Sequence, residues 1–111
     1  MSQYSATYVG VQADTDHGEG RVVFRWPDDS YGYEELRIDL DGHCSRRMPL
    51  YSGTGPPEIV ELRRDGIRIR FDPMLARKLV LEEEIEILFC LPEAEFVELR
   101  RGVDYFDGTG A

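Results

Sequence analysis

The chain holds two cysteines and two histidines in 111 residues, and that scarcity removes much chemistry at the outset. Cys44, Cys90, His17 and His43 do not have the paired spacing of a structural or catalytic zinc centre. His43 and Cys44 are adjacent, so on a strand they point to opposite faces and cannot form a nucleophile–base pair. No apolar run approaches the ~20 residues that a membrane-spanning helix needs. The opening Met1-Ser2-Gln3-Tyr4-Ser5 has neither the basic segment nor the apolar stretch of a secretory signal, so a cytoplasmic protein with reduced thiols is expected. Cys90, inside Ile87-Leu88-Phe89-Cys90-Leu91, reads as a buried and inert thiol.

Positive charge is also short. Lys and Arg number 13 against 22 Asp and Glu, a formal net charge of −9, which argues against binding duplex nucleic acid through its phosphates. Most arginines have acidic neighbours, as in Glu34-Glu35-Leu36-Arg37 and Glu61-Leu62-Arg63-Arg64, and such runs read as solvated mixed-charge surface. Asp14-x-Asp16-x-Gly18 opens like a calcium loop, but glycine stands at its fifth position and Arg25 falls where the bidentate glutamate belongs. Gly53-x-Gly55 is followed by Pro56-Pro57 and a strand, without the Gly-Lys-Ser/Thr ending and helix of a phosphate loop. No catalytic residue, cofactor or metal is expected.

What is present is enough to fold. With 41% hydrophobic and 11% aromatic residues, the chain falls outside the disordered class, and its length suits one domain with one core. Residues 1–6 and 107–111 read as fraying termini. Arg21–Trp26 and Glu34–Leu40 alternate with period two, the mark of half-buried strands, and Tyr8–Ala13 precedes them as a third. Asp41-Gly42 suits a tight turn leading to a poorly patterned strand over His43–Tyr51, with Pro49 marking an edge. Ser52 to Pro57 reads as a loop. Placing Asp65-Gly66 at the tip of a second hairpin pairs Leu62 with Ile69, Val60 with Phe71, and sets Glu61 beside Arg70. Asp72-Pro73 is a helix start, Asp as N-cap and Pro at the first helical position. Glu83–Cys90 follows as a strand. Phe96, Leu99, Val103 and Phe106 carry the stripe of a closing amphipathic helix.

The resulting expectation is an α+β fold: an antiparallel sheet of about six strands, a short helix near 73–80 and a C-terminal helix near 92–106 packed on one face. Val60, Leu62, Ile69, Phe71, Ile85, Ile87, Phe96 and Leu99 should share its core. Glu82, Glu83, Glu84 and Glu86 are the candidate partner-binding residues. Glu84 and Glu86 share the polar face of their strand, and together the four form an acidic ridge suited to a basic protein surface.

From Tyr33 to Phe106 the order of features resembles a bacterial immunity-protein family, immunity protein ten of polymorphic toxin systems. The resemblance rests on Gly42-His43-Cys44, Tyr51-Ser52-Gly53 before Ile59-Val60-Glu61-Leu62, the run Arg64 to Phe71, Asp72-Pro73, and the closing Glu95-Phe96-Val97-Glu98-Leu99-Arg100-Arg101-Gly102. It implies a small cytoplasmic, non-enzymatic binder that occludes a toxin delivered by kin, its partner being a basic protein toxin. It assigns no individual functional residue. A self-associating module joined through an edge strand as a homodimer, and a small enzyme without a recognisable motif, are the other readings that the residues leave open.

Overall fold

The computed structural model describes residues 2–14, 19–29, 32–39, 42–46, 51–55 and 57–106. Among them the chain runs β1 (Ser2–Ser5), β2 (Tyr8–Asp14), β3 (Glu19–Asp28), β4 (Gly32–Asp39), β5 (His43–Arg46) and β6 (Tyr51–Thr54). It continues with β7 (Glu58–Arg63), β8 (Gly66–Arg70), α1 (Pro73–Leu79), β9 (Glu84–Leu88) and α2 (Glu93–Phe106). The fold is α+β, with the short helix and the C-terminal helix where the sequence places them. Its strands divide between two sheets, a five-stranded antiparallel meander β2-β3-β4-β5-β6 and a four-stranded sheet β1-β9-β8-β7.

One core fills the space between the sheets. Val22, Phe24, Trp26, Leu36 and Ile38 come from the meander, and Ile67, Ile69, Phe71, Ile85 and Ile87 from the smaller sheet. Leu75 and Leu79 of α1 and Phe96, Leu99 and Val103 of α2 complete it, so the alternation of the strands and the stripe of α2 both turn inward as their periods require. α1 packs on β5 and β6, and α2 on β2, β3 and β7. Gly53 and Gly102 permit these approaches. A Cβ on Gly53 would stand 2.7 Å from Leu75 Cδ1, and one on Gly102 3.3 Å from Val22 Cγ2.

The ends of α1 follow local chemistry. The Asp72 carboxylate accepts from the Met74 N–H at 3.1 Å, as an N-cap should. Val80 closes the helix in the left-handed region at φ 56°, with its own N–H on Arg77 O and that of Leu81 on Ala76 O. Arg46 of β5 donates to the Leu79 and Val80 carbonyls, placing a cation at the negative end of the helix.

Several expectations are corrected. Residues 2–5 do not fray: β1 lies parallel to β9, and Tyr4 stacks on Trp26 with ring centroids 4.4 Å apart. Tyr51–Thr54, read as the end of one strand and the start of a loop, is a separate strand on β5, because its glycine admits α1. Glu34 and Glu35 are buried, not solvated. Glu34 lies on the core side with Trp26 and meets Arg46 at 3.4 Å. Cys90 is exposed, since β9 ends at Leu88, whereas Cys44 is buried.

The hairpin register differs as well. Its tip is Arg64-Asp65, with Arg63 opposite Gly66 and Leu62 opposite Ile67. Gly66 is needed elsewhere: a Cβ there would stand 3.2 Å from the Ile87 carbonyl and 3.1 Å from Leu88 Cδ2 on the neighbouring strand. Leu62 thus pairs two residues earlier than expected, and a β-bulge at Val60 displaces the register by one more, because Ile59 faces Ile69 while Glu61 faces Arg68. Val60 is left exposed, outside the core, and Ile59 takes its place. The loop around Asp16, Pro49 in the proposed edge strand, and residues 107–111 lie outside the described residues.

Candidate functional site

The four predicted acidic residues occupy the start of β9 and the turn before it, and they divide into two pairs. Glu84 and Glu86 do share the outer face of β9, but the arginines of β8 stand beside them. Arg70 donates to Glu84 at 3.0 Å and to Glu58 at 2.9 Å; Arg68 reaches Glu84 at 3.2 Å and Glu61 at 3.3 Å. Arg63 donates to Glu86 at 3.1 Å, and Gln3 of β1 donates to the same carboxylate at 2.6 Å. The outer face of this sheet is therefore a ladder, glutamates of β7 and β9 flanking arginines of β8. The bulge makes it possible: Glu58 and Glu61 are three residues apart, and the extra residue lets both face arginine. Hydrogen bonds from Arg70 and Arg68 hold the Glu84 carboxyl below its ordinary pKa, and those from Gln3 and Arg63 do the same for Glu86.

Glu82 and Glu83 lie apart from the ladder. They line a groove of about 510 Å³ with Pro73, Ala76, Arg77 and Leu81, and Glu84 of the ladder reaches its edge. Ser2 Oγ donates to the Glu82 carboxylate and lowers its pKa, while the Glu83 side chain is exposed. Of the four, Glu83 presents its negative charge outward.

His43 and Cys44 do point to opposite faces, and Cys44 Sγ lies in the core, 3.8 Å from the Gly42 and Gly55 carbonyls. Among the described residues no group of three or more His, Cys, Asp and Glu is placed to hold a metal ion. Nor, among them, is any helix long and apolar enough to cross a membrane.

The arrangement that sequence reasoning missed is the outer face of the meander. Its register stacks three rows across three strands: Tyr8, Arg25 and Glu35; Gly10, Val23 and Arg37; Gln12, Arg21 and Asp39. Arg25 Nε donates to Glu35 Oε1 at 3.1 Å, and this bond raises the arginine's pKa. The Arg25 guanidinium also lies over two rings, 4.9 Å from the centroid of Tyr8 and 5.1 Å from that of Tyr33. Both tyrosines are about half exposed, at 50% and 51%. The signal was present: Arg21, Val23 and Arg25 share one strand face, and Glu35, Arg37 and Asp39 share another. Only the register shows that the two faces are one.

No known protein family, curated protein or solved structure matches this chain.

Proposed function

We propose that this chain is a non-enzymatic protein-binding domain that recognises its partner through the outer face of the five-stranded sheet. The resemblance to toxin-immunity proteins makes occlusion of a basic protein toxin the specific form of that proposal. The observation that carries it is the Tyr8–Arg25–Tyr33 stack. Tyrosine and arginine dominate the binding energy of protein interfaces, because each offers a large, partly apolar contact with a hydrogen-bonding end. Here the arginine is held in advance by Glu35 and by two rings, so little side-chain freedom remains to be lost on binding. The net charge of −9 acts at longer range and steers a cationic partner. Glu83 at the mouth of the α1 groove contributes to that field, whereas Glu84 and Glu86 are matched by arginine.

The test is co-expression with the product of the adjacent reading frame, scored for protection of growth, followed by binding kinetics on the purified pair. Replacing Tyr8 and Tyr33 together by Ser should weaken the complex by about 30-fold or more, mainly through faster dissociation, with the thermal midpoint little changed. Glu82→Lys with Glu83→Lys should instead slow association and reduce its salt dependence. Protection and affinity untouched by the tyrosine changes would overturn the proposal.

A further inference from the structure

Between the rows of the meander lies a cleft of about 150 Å³. Its centre is hollow because the middle row begins with Gly10 and continues with the short side chain of Val23. Tyr8 lies down over Gly10 as one wall, so close that a Cβ at Gly10 would meet its hydroxyl at 2.5 Å. Arg21, Arg25 and Arg37 face the hollow, and Glu35 is the one carboxylate in its lining.

We propose that this cleft receives the carboxylate of an aspartate or glutamate side chain from the partner protein, a statement that rests on the protein-binding reading above and names its chemistry. The donors are in excess. Among the described residues only Arg25 has a hydrogen bond to Glu35; Arg37 Nη2 is 3.8 Å from that carboxylate, and Arg21 Nε is 3.9 Å from Asp39. Arg37 Nε is buried without a hydrogen-bond partner among the described residues. At those distances the outer guanidinium groups of Arg37 and Arg21 are not engaged by Glu35 or Asp39, and an incoming carboxylate offers the planar, two-pronged geometry that arginine favours.

Charge and size select within the anions. Three guanidinium groups against Glu35 and the adjacent Asp39 leave one unmatched positive charge, which a monoanion neutralises. A phosphate dianion would overfill that balance beside the buried Glu35 carboxylate, and in a chain of net charge −9. The volume holds a side-chain terminus but falls short of the roughly 300–1,000 Å³ of a pocket for a whole small ligand. Tyr8 and Tyr33 stand exposed beside the cleft, where a partner's surface would cover them and exclude water from the ion pair. An acidic protein thus carries a local cationic socket on the face with which it binds.

The experiment needs no partner. Acetyl-glutamate-amide is titrated into the protein at constant ionic strength while the arginine Nε–H signals are followed by NMR. Acetyl-glutamine-amide serves as the uncharged control and inorganic phosphate as the competing anion. Saturable shifts of Arg37 and Arg25 with the glutamate derivative alone are expected. Arg37→Gln, or Arg21→Gln should the first variant fail to fold, should weaken them about tenfold, the value of a charge-assisted contact. Equal response to the glutamine derivative, tighter binding of phosphate, or no saturable response overturns the inference while leaving the tyrosine test of partner binding intact. A carboxylate response in a protein whose partner binding ignores Tyr8 and Tyr33 overturns the binding face and keeps the socket.

Discussion

Gly102 interrupts α2 where alanine would propagate the helix better by about 1 kcal/mol, so its replacement by Ala measures how closely the helix and meander meet. The added methyl would sit 3.3 Å from Val22 Cγ2 and 3.8 Å from Val11 Cγ1. Val22 is 1% exposed and belongs to the core cluster, so yielding to the methyl would disturb its other neighbours. Overpacking of this kind costs about 1–3 kcal/mol, which outweighs the propensity gain, and Gly102→Ala should destabilise the protein by about 1 kcal/mol net. Val22→Ala removes two methyl groups at about 0.8 kcal/mol each and leaves a cavity, so alone it should cost about 2 kcal/mol. In that background the Gly102 methyl occupies vacated space, and Gly102→Ala should become stabilising by about 1 kcal/mol. Urea unfolding of the four proteins by circular dichroism gives the double-mutant cycle, with an expected coupling of about 2 kcal/mol. A Gly102→Ala protein stabilised equally in both backgrounds would refute the close helix–sheet contact.

Phe71→Ala should cost about 3–5 kcal/mol, because this 1%-exposed ring lies where β8 leads into α1, and urea unfolding with only a small loss would contradict its place in the core. Glu84 and Glu86 have folded-state pKa values lowered from the ordinary 4.5, so the stabilisation they give is present above that pH and lost as acid protonates them. Glu84→Gln with Glu86→Gln should therefore reduce stability at neutral pH, with the difference from the parent closing below pH 4.5; a pH-independent difference in unfolding curves would refute the ladder's electrostatic role. Of the two thiols, Cys90 should react with a disulfide reagent in the native protein and Cys44 only on unfolding, so two equally fast thiols would exclude the burial of Cys44.

Elements with a strong local signature were legible: the alternation of β3 and β4, the Asp72-Pro73 start of α1, the stripe of α2. What escaped depended on distant contacts. β1 has no pattern of its own and is ordered by Tyr4 on Trp26 and by pairing with β9. Gly53 reads locally as a loop residue but serves a helix that begins twenty residues later. Asp65-Gly66 is a sound turn by itself, yet Gly66 is consumed by the approach of β9, and that displacement moved every cross-strand pair of the hairpin. The period of β9 correctly put Glu84 and Glu86 together. It could not reveal that Arg68 and Arg70 would be their neighbours. The arginine socket was hidden for the same reason, since its members come from three strands and each looks like ordinary surface alternation alone.

The bulge at Val60 bears on how the sheet ends. β7 is the outer strand of its sheet, with one side of its backbone available to any strand that could continue the ladder. An unbroken edge is a template on which identical chains can stack without limit. The extra residue bends the strand and puts its N–H and C=O groups out of step with a straight neighbour, while Glu58, Glu61 and Arg63 surround the break with charge already matched to β8 and β9. A second copy docking there would meet a misaligned backbone and would have to strip water from these ion pairs with no charge left to offer in return. The residue that the ladder skips thus works against continuation of the sheet by another strand along β7.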